Sequence, residues 1–418
     1  MASEFLALQQ QGTWTLVPAP PNQMILGSRW TYKIKTNPNG TIAHYKARLV
    51  AQGHRQEYGL NYTETFSPVA KFPSLRVFLT VAFNNHWPLH QLDVTNAFLH
   101  GSLNEQIFMK QPTGFENNQL PNHVCFSKNR FMVSNKLPAN DDILFTGNDS
   151  KHLLNVMSAI SNNISIRNLE KSSRFIGIEI AHNGNHMFLT QTQYTQAILQ
   201  QVGLIHCKPL ANPSLTKLPV NCPALPNFFD PVNCPALPNF FDPISYRHLK
   251  GSLQYLTITR PDISFAVNAL SQHLHNPQPL HFSLLKRLLR YLKGTSQFGI
   301  PILKSNLTLC TFSDADWATD PLTRRSISGY FSFLGDTLIS WTVKKQTTVA
   351  RSSTDTEYRS LAAATSDAIW LRRLLSDFQT HQTEPTEIHC DNMSAIALAN
   401  NPVFHSRTKH IEVYVHFI

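Results

Sequence analysis

A tandem duplication of a proline-rich segment is the strongest local constraint on what this chain can fold into. The twelve residues VNCPALPNFFDP occupy positions 220–231 and occur again, letter for letter, at positions 232–243. Each copy holds three prolines, which lack a backbone N–H and fix φ, so neither copy is expected to form a helix or a central strand. A repeat fold would need more and longer units. The sequence therefore predicts a linker over both copies.

The composition is that of a globular protein with a basic balance of charge. With 418 residues, 42% hydrophobic and 15% charged, the chain is long enough for two or three domains with separate cores. Lysine and arginine together number 36 against 26 aspartates and glutamates, which leaves a formal net charge of +10. Many basic proteins bind nothing acidic, but this excess favours a polyanionic partner such as nucleic acid.

The N-terminal residues and the cysteines indicate a protein that is not secreted. The opening MASEFLALQQQGTW has no basic segment followed by an apolar one, and no later stretch reaches the apolar length of a membrane span. The six cysteines show neither Cys-x-x-Cys nor Cys-His zinc spacing, so we expect free thiols. We therefore expect a cytoplasmic or nuclear protein without membrane association, and the oligomeric state is left open.

Hydrophobic patterns predict several elements before the linker. Residues 30–50 alternate around Asn39-Gly40, which is typical of a hairpin turn. Residues 74–85 are expected to be helical, and residues 89–94 to form a buried strand that carries Asp93. A second hairpin is expected over 172–190.

An amphipathic helix is expected after the linker, over residues 281–295. Four leucines fall at i, i+3, i+4 and i+7, and three basic residues share the opposite face: Leu285, Leu288, Leu289, Leu292, Lys286, Arg290 and Lys293. The basic face is interpreted either as a solvated surface or as a contact for nucleic acid.

Two adjacent aspartates, Asp141 and Asp142, stand before a short apolar run in NDDILFTG. Neighbouring carboxylates repel each other, so a divalent cation is the usual reason when both point into one site. When both point into water no cation is needed, and that alternative is the commoner one for an isolated Asp-Asp pair.

Residues 304–418 predict a strand, a hairpin, a helix, a strand and a helix. Asp314 is expected to close the first strand and Asp391 the later one, with the hairpin turning at Gly335-Asp336. Ser352 or Ser353 can cap the helix. Glu357 lies in its first turns, in line with apolar residues at i+4, i+7 and i+11: Leu361, Ala364 and Ala368.

Three carboxylates delivered to one end of a sheet predict a metal site. They would repel each other unless divalent cations lay between them, and two such cations are a common arrangement for hydrolysis of a phosphodiester. Taken singly, Asp314 and Asp391 are equally explained as caps, and Glu357 as a favourable charge at a helix N-terminus.

Motifs through nearly the whole chain resemble the Pol polyprotein of copia-type LTR retrotransposons. They occur in the order of that family: KARLVAQGHRQEYGLNYTETFSPVAKFPSLR, HQLDVTNAFLHGSL, IFMKQPTGF, DDILFTGND, FIGIEIA, YRHLKGSLQYLTITRPDISFAVN, SDADWATDPLTRRSISGY, SSTDTEYRSLA and CDNMSAIALANNPVFHSRTKHIEV. The resemblance implies a reverse transcriptase followed by a ribonuclease H, with an RNA·DNA hybrid or another nucleic acid as partner.

The resemblance also implies roles for individual residues of the polymerase part. Asp93, Asp141 and Asp142 resemble the carboxylates that hold Mg²⁺, or Mn²⁺, in the polymerase site. Phe98 resembles the side chain that rejects a ribose 2′-hydroxyl, and Arg48 resembles the residue that grips the triphosphate.

In the ribonuclease H part, Asp314, Glu357 and Asp391 resemble the metal-binding acidic set. Glu412, in KHIEV, is the candidate for its fourth member. His405 resembles a residue that assists product release, although a surface histidine is the commoner meaning.

The sequence departs from the family between QPTGF and the Asp-Asp pair. Relatives carry a longer segment there, and the residues before the pair, SNKLPAN, include Pro138, which cannot donate to a strand ladder. We therefore expect an internal deletion near 116–140 and an inactive polymerase, because displaced ligands lose the benefit of positioning.

The predicted fold class is α+β, a palm and fingers remnant with thumb and connection helices before a ribonuclease H-like α/β domain with a mixed sheet. The expected boundaries are 1–148 for fingers and palm, 149–245 for a thumb-like region and the linker, 246–303 for connection helices, and 304–418 for the ribonuclease H-like domain. The function expected is cleavage of RNA in RNA·DNA hybrids. The alternative is a non-catalytic, basic remnant that binds nucleic acid.

Overall fold

The computed structural model describes most of the chain. The described residues are 1–10, 12–21, 23–36, 42–52, 71–94, 102–129, 142–163, 166–168, 174–183, 186–214 and 242–400. They form a mixed helix-and-sheet protein, as the sequence predicts.

The elements before the linker alternate short strands with a few helices. In chain order they are α1 (Ala2–Gln10), β1 (Trp14–Pro18), β2 (Ile25–Leu26), β3 (Ser28–Thr36), β4 (Ile42–Ala51), α2 (Phe72–Asn84), β5 (His90–Val94), β6 (Ser102–Met109), β7 (His123–Asn129), β8 (Asp142–Phe145), α3 (Ser150–Asn163), β9 (Ile166–Asn168), β10 (Arg174–Phe175), β11 (Ile178–Asn183), β12 (His186–Thr190) and α4 (Thr192–Gln201).

The elements after the linker begin with helices and end in a sheet with two further helices. They are α5 (Pro243–Leu256), α6 (Ser264–Ser271), α7 (Pro279–Gly294), β13 (Gly299–Leu303), β14 (Leu309–Asp316), β15 (Ile327–Leu334), β16 (Thr337–Lys345), α8 (Ser353–Asp377), β17 (Glu387–His389) and α9 (Met393–Asn400).

The chain divides into two compact units that are not consecutive in sequence. The first comprises Met1–Val69, His90–Phe145 and Asp149–Lys171, and the second comprises Ala70–Leu89, Thr146–Asn148 and Ser172–Ile418. Helix α2 therefore belongs to the second unit, although strands of the first unit precede and follow it in the chain.

The described residues of the first unit form three sheets. A four-stranded sheet has the order β1-β7-β6-β2, the hairpin strands β3 and β4 form a pair, and a three-stranded sheet has the order β8-β5-β9. The expected strand pair over 30–50 is confirmed, and its turn lies outside the described residues. The buried apolar residues of the first unit include Trp30, whose Nε1 donates to Thr113 O at 3.1 Å.

The second unit is built around helices and two four-stranded sheets. The sheet β10-β11-β12-β13 contains the expected hairpin of β11 and β12, and the sheet β16-β15-β14-β17 is mixed, because only β17 runs parallel to β14. Gly335 turns the β15–β16 hairpin with φ +57°, and a Cβ there would lie 2.0 Å from Asn306 O. This turn is at the predicted position.

Helix α7 buries the predicted leucine stripe in the main helical core. Leu285, Leu288 and Leu289 are fully buried together with residues of α5 and α6. The basic face is only half-exposed, because Arg290 Nε donates to Lys208 O at 2.8 Å and Lys293 Nζ donates to Cys207 O. Two of its three cations therefore also donate to backbone carbonyls of the segment after α4, and the two interpretations of this face stay open.

A second core joins α2 to the mixed sheet and α8. Val77 and Val81 of α2 pack with apolar residues that come much later in the chain: Leu309, Leu334, Ile339, Leu371 and Leu375. The expected helix over 74–85 is confirmed, and the structure adds that it completes the core of the second unit.

Arg76 is buried in this core with only 5% of its surface exposed. Its guanidinium donates to Ile339 O and, at 3.1 Å, to Ile258 O, and it lies 3.8 Å from the centre of the Trp341 ring. Ile339 is the extra residue of a bulge in β16, without a partner in the ladder to β15. Burial lowers the pKa of Arg76 to about 9. The buried guanidinium therefore donates to a carbonyl that the bulge leaves without a partner in the ladder.

The cysteines are not all free thiols. Cys125, Cys310 and Cys390 are free, whereas Cys207 is disulfide-bonded. The expectation of six free thiols is therefore wrong at Cys207, whose partner lies outside the described residues.

The end of the duplicated segment starts helix α5. Asp242 is the N-cap, and its carboxylate accepts from Ile244 N at 3.2 Å and Ser245 N at 2.9 Å, while Pro243 is the first helical residue. The expectation of a linker over both copies is wrong at this position, because proline suits the first turn of a helix. Residues 215–241 lie outside the described residues.

Deleting residues 232–243 should change the free energy of unfolding by no more than a few tenths of a kcal/mol, since loop length enters only logarithmically. The deletion preserves the N-cap of α5, because the two copies are identical. Asp230 and Pro231 then stand directly before Ile244 and take the places of Asp242 and Pro243. Thermal unfolding of the deleted and full chains measures the difference.

The cap itself provides a matched control. Asp230→Ala should lower the unfolding temperature of the deleted chain but not of the full chain, where Asp242 still caps the helix. A large loss of stability on deletion alone would contradict the expectation and indicate that the second copy packs.

Candidate metal-binding carboxylate site

Strand β14 places two aspartates on one face. Its residues alternate between buried and open positions, so Asp314 and Asp316 are exposed while Ser313 and Ala315 between and beside them are buried. Asp314 lies two residues inside the strand, not at its end as expected. Asp316 was not among the predicted site residues, although it follows Asp314 at the period of two that places both on one face of a strand.

Helix α8 brings Glu357 to this strand. Ser352 caps the helix by accepting from Asp355 N at 3.1 Å, as one of the two predicted caps. Glu357 is only 6% exposed, and it shares its buried face with Leu361, Ala364 and Ala368, as expected. Its Oε1 accepts a hydrogen bond from Ala315 N at 3.1 Å, which fixes the carboxylate next to β14.

Asp391 approaches Glu357 from the segment that follows β17. Strand β17 ends at His389, so Asp391 lies two residues beyond the strand and not at its end, just before α9. Ligand atoms of Glu357, Cys390 and Asp391 all lie within 4.8 Å of one another. Cys390, whose Sγ is 4.0 Å from Glu357 Oε2, was not foreseen, and no sequence pattern pointed to it.

The electrostatics of Glu357 reflect this crowding. Burial, together with the negative charges of Asp314, Asp391 and Asp316, raises the pKa of Glu357 to about 7, against the opposing effect of the hydrogen bond from Ala315 N. A buried carboxylate whose pKa is raised mainly by burial, and further by neighbouring acids, is a site where a divalent cation would stabilise the charged form.

A cavity adjoins the two strand aspartates. It measures about 290 Å³, and its wall includes Asp314, Asp316, Gly329, Tyr330 and Trp341. Asp314 and Asp316 therefore border space that a ligand can enter, whereas Glu357 and Asp391 do not line this cavity.

The fourth predicted acid lies beyond the part that the structure describes. Glu412 and His405 both fall in 401–418, so their predicted roles stay predictions.

For the predicted polymerase acids, the structure describes only the backbone of Asp93 and Asp142. Asp93 on β5 is opposite Asp142 on β8 in an antiparallel ladder, and Leu92 next to it is fully buried. The side chains of Asp93 and Asp142 are not described, and Asp141 lies outside the described residues. The expected buried strand at 89–94 is confirmed.

Arg48, one of the two predicted nucleotide contacts, lies in a different sheet from Asp93 and Asp142. Arg48 is half-buried on β4, in the two-stranded sheet, whereas Asp93 and Asp142 belong to the three-stranded one. Phe98 lies outside the described residues.

Comparison with known proteins identifies the class. A family model described as "Reverse transcriptase (RNA-dependent DNA polymerase)" matches residues 11–133 and 126–216. Over 459 aligned positions the chain is 40% identical to the Retrovirus-related Pol polyprotein from transposon RE2 of Arabidopsis thaliana, covering 100% of this chain and 31% of the relative. It is 32% identical over 464 positions to the Retrovirus-related Pol polyprotein from transposon TNT 1-94 of Nicotiana tabacum, covering 100% of this chain and 34% of the relative.

The family model ends at residue 216, whereas the alignments to the two polyproteins cover the whole chain, including the carboxylate site. The chain belongs to the copia-type retrotransposon Pol polyproteins, as the motifs predicted. It spans about a third of the length of these curated relatives. No described helix is both long enough and apolar enough to cross a membrane.

Proposed function

We propose that the C-terminal part of this chain is a ribonuclease H that cleaves the RNA strand of RNA·DNA hybrids with Mg²⁺ or Mn²⁺. The observation that carries the proposal is the position of Glu357, a buried carboxylate that accepts a hydrogen bond from Ala315 N of β14 and lies within 4.8 Å of Asp391, ligand atom to ligand atom. Burial, and then the charges of Asp314, Asp391 and Asp316, raise its pKa to about 7. Oxygen ligands are what Mg²⁺ and Mn²⁺ prefer, so the donor set fits these cations.

Several residues of this chain would bind or position the divalent cations. Ala315 N holds Oε1 of Glu357, while the exposed carboxylates of Asp314 and Asp391 are accessible to cation and substrate. Glu412 is proposed as a further ligand by resemblance alone. When bound, a pair of divalent cations supplies an activated water and stabilises the leaving oxygen.

The proposal is tested by incubating the full chain with a hybrid whose RNA strand is labelled. We expect weak cleavage that requires Mg²⁺ or Mn²⁺, stops with EDTA, and spares the same sequence as duplex DNA. If a properly folded chain shows no cleavage at high Mn²⁺ but binds the hybrid with salt-dependent affinity, the protein is the non-catalytic nucleic-acid-binding remnant instead.

We propose further that the polymerase part is inactive because a segment is missing before Asp141. Two observations support a deletion near 116–140. The family model matches in two pieces that meet at 126–133. The alignment to the transposon RE2 polyprotein spans 459 positions, whereas the whole chain has 418 residues.

The chain should therefore not extend a DNA primer on an RNA template, with Mg²⁺ or Mn²⁺ and all four nucleotides. Asp93 is opposite Asp142 in a strand ladder, but ligands displaced by an ångström or more lose most of their effect. A primer-extension gel measures this directly. Template-dependent extension that disappears with Asp93→Asn would overturn the expectation.

A further inference from the structure

Three metal-ligating side chains meet on the open face of the mixed sheet, apart from the acidic cluster at Glu357. They are Cys310 on β14 and Glu387 and His389 on β17, and one ligand atom of each lies within 4.8 Å of the other two. Cys310 is a free thiol and half-buried, while the side chains of Glu387 and His389 are 78% and 50% exposed.

The strand register explains why the three side chains share a face. Cys310 is opposite Glu387 and Phe312 is opposite His389 in the parallel ladder, so every second residue of both strands projects to the same side. The alternate residues, Thr311 and Ile388, point the other way. Sequence spacing could not reveal this cluster, because Cys310 and the β17 residues meet only through the pairing of the two strands.

The histidine is already oriented. Its ring stacks on Phe312 with 4.7 Å between centroids and 21° between planes, and its Nε2 lies 3.5 Å from Glu387 Oε2. Nitrogen and oxygen ligands bound tetrahedrally to one zinc ion, at about 2.0–2.2 Å each, are roughly 3.4 Å apart. An ion pair between His389 and Glu387 would give the same distance. Only a shared zinc ion would also involve the thiol of Cys310, so the thiol distinguishes a metal site from an ion pair.

We propose that Cys310, Glu387 and His389 form a Zn²⁺ site, with the fourth position open to water. A thiolate and an imidazole select zinc or cobalt over the hard cations Mg²⁺ and Mn²⁺. The ion would join β14 to β17, a strand of only three residues. Asp391 follows β17 by two residues. By holding β17 against β14, the zinc ion would also restrict the position of the backbone that carries Asp391.

The test is cobalt spectroscopy on the full chain under a phosphine reductant, without nucleic acid. Adding Co²⁺ should produce a thiolate-to-cobalt charge-transfer band and the visible bands of tetrahedral cobalt, and Zn²⁺ should displace them while excess Mg²⁺ does not. Cys310→Ser should abolish the charge-transfer band, and His389→Ala should weaken Co²⁺ binding at least tenfold. Because no cleavage is measured, failure here is distinct from failure of the proposed nuclease.

Cys390→Ser is the matched control, since Cys390 is the other half-buried free thiol beside a carboxylate in this sheet region. We expect it to leave the charge-transfer band intact and the zinc-induced rise in unfolding temperature unchanged. The proposal is overturned if no band forms, if the band survives Cys310→Ser, or if Cys390→Ser removes it, which would place the ion next to Glu357.

Discussion

Asp314→Asn should reduce metal-dependent cleavage of RNA by at least about 100-fold, because members of a cation-holding carboxylate set act as a unit. The same change should leave the metal-free protein as stable as the wild type, or more so. The charge of Asp314 is one cause of the raised pKa of Glu357, so removing that charge relieves repulsion at a buried carboxylate. Hybrid cleavage and thermal unfolding, each with and without Mn²⁺, measure both effects.

Asp336→Asn is the control for this prediction. Asp336 is an exposed aspartate in the β15–β16 turn, near the other end of β14, and the change removes the same charge away from Glu357. It should alter neither cleavage nor the stabilisation by Mn²⁺. Cleavage that persists in Asp314→Asn would show that the activity comes from elsewhere, and a marked fall in unfolding temperature would give Asp314 a structural role.

Arg76→Met should destabilise the second unit by about 2–4 kcal/mol, since it removes the guanidinium that donates to one buried and one half-buried carbonyl. Those carbonyls belong to Ile339, at the β16 bulge, and Ile258. Arg76→Lys should recover only part of the loss, because an ammonium keeps the charge but loses the forked donors and the guanidinium contact with the Trp341 ring. Unfolding by urea, followed by circular dichroism, measures the differences.

Lys71→Met tests whether burial is the cause. Lys71 lies before the same helix with its Nζ 4.5 Å from the centre of the Trp370 ring, but it is exposed. An exposed contact of this kind should cost no more than about 1 kcal/mol when removed. If Arg76→Met were as mild as Lys71→Met, the buried guanidinium would not be satisfying the bulge.

Local pattern predicts those parts of the fold whose determinants lie close together in sequence. The hairpins, the leucine stripe of α7 and the inward direction of Glu357 all follow from periodicity over a few residues, and the structure confirms them. Asp316 was within reach of the same reasoning, because it follows Asp314 at a period of two.

Contacts between distant segments were not predictable in this way. Arg290 reaches the carbonyl of Lys208 across 82 positions, so the sequence indicates a polar face without saying what that face binds. Cys390 and Asp391 approach Glu357 because of the path taken after β17, and Cys310 meets His389 through strand pairing. The family motifs identified Asp314, Glu357 and Asp391 as candidate site residues. The residues that surround them could be identified only from the fold.

The place of α2 in the second unit bears on how the protein is made. Arg76 and its partner Ile339 are separated by 263 positions, and the apolar partners of Val77 and Val81 extend to Leu375. During synthesis this helix leaves the ribosome long before the strands and helix that cover it, so its apolar face must wait uncovered. Closing so long a loop also slows the folding step that removes the exposure. Nascent chains should therefore depend on chaperones until residues near 375 emerge, and a chain arrested before that point should aggregate.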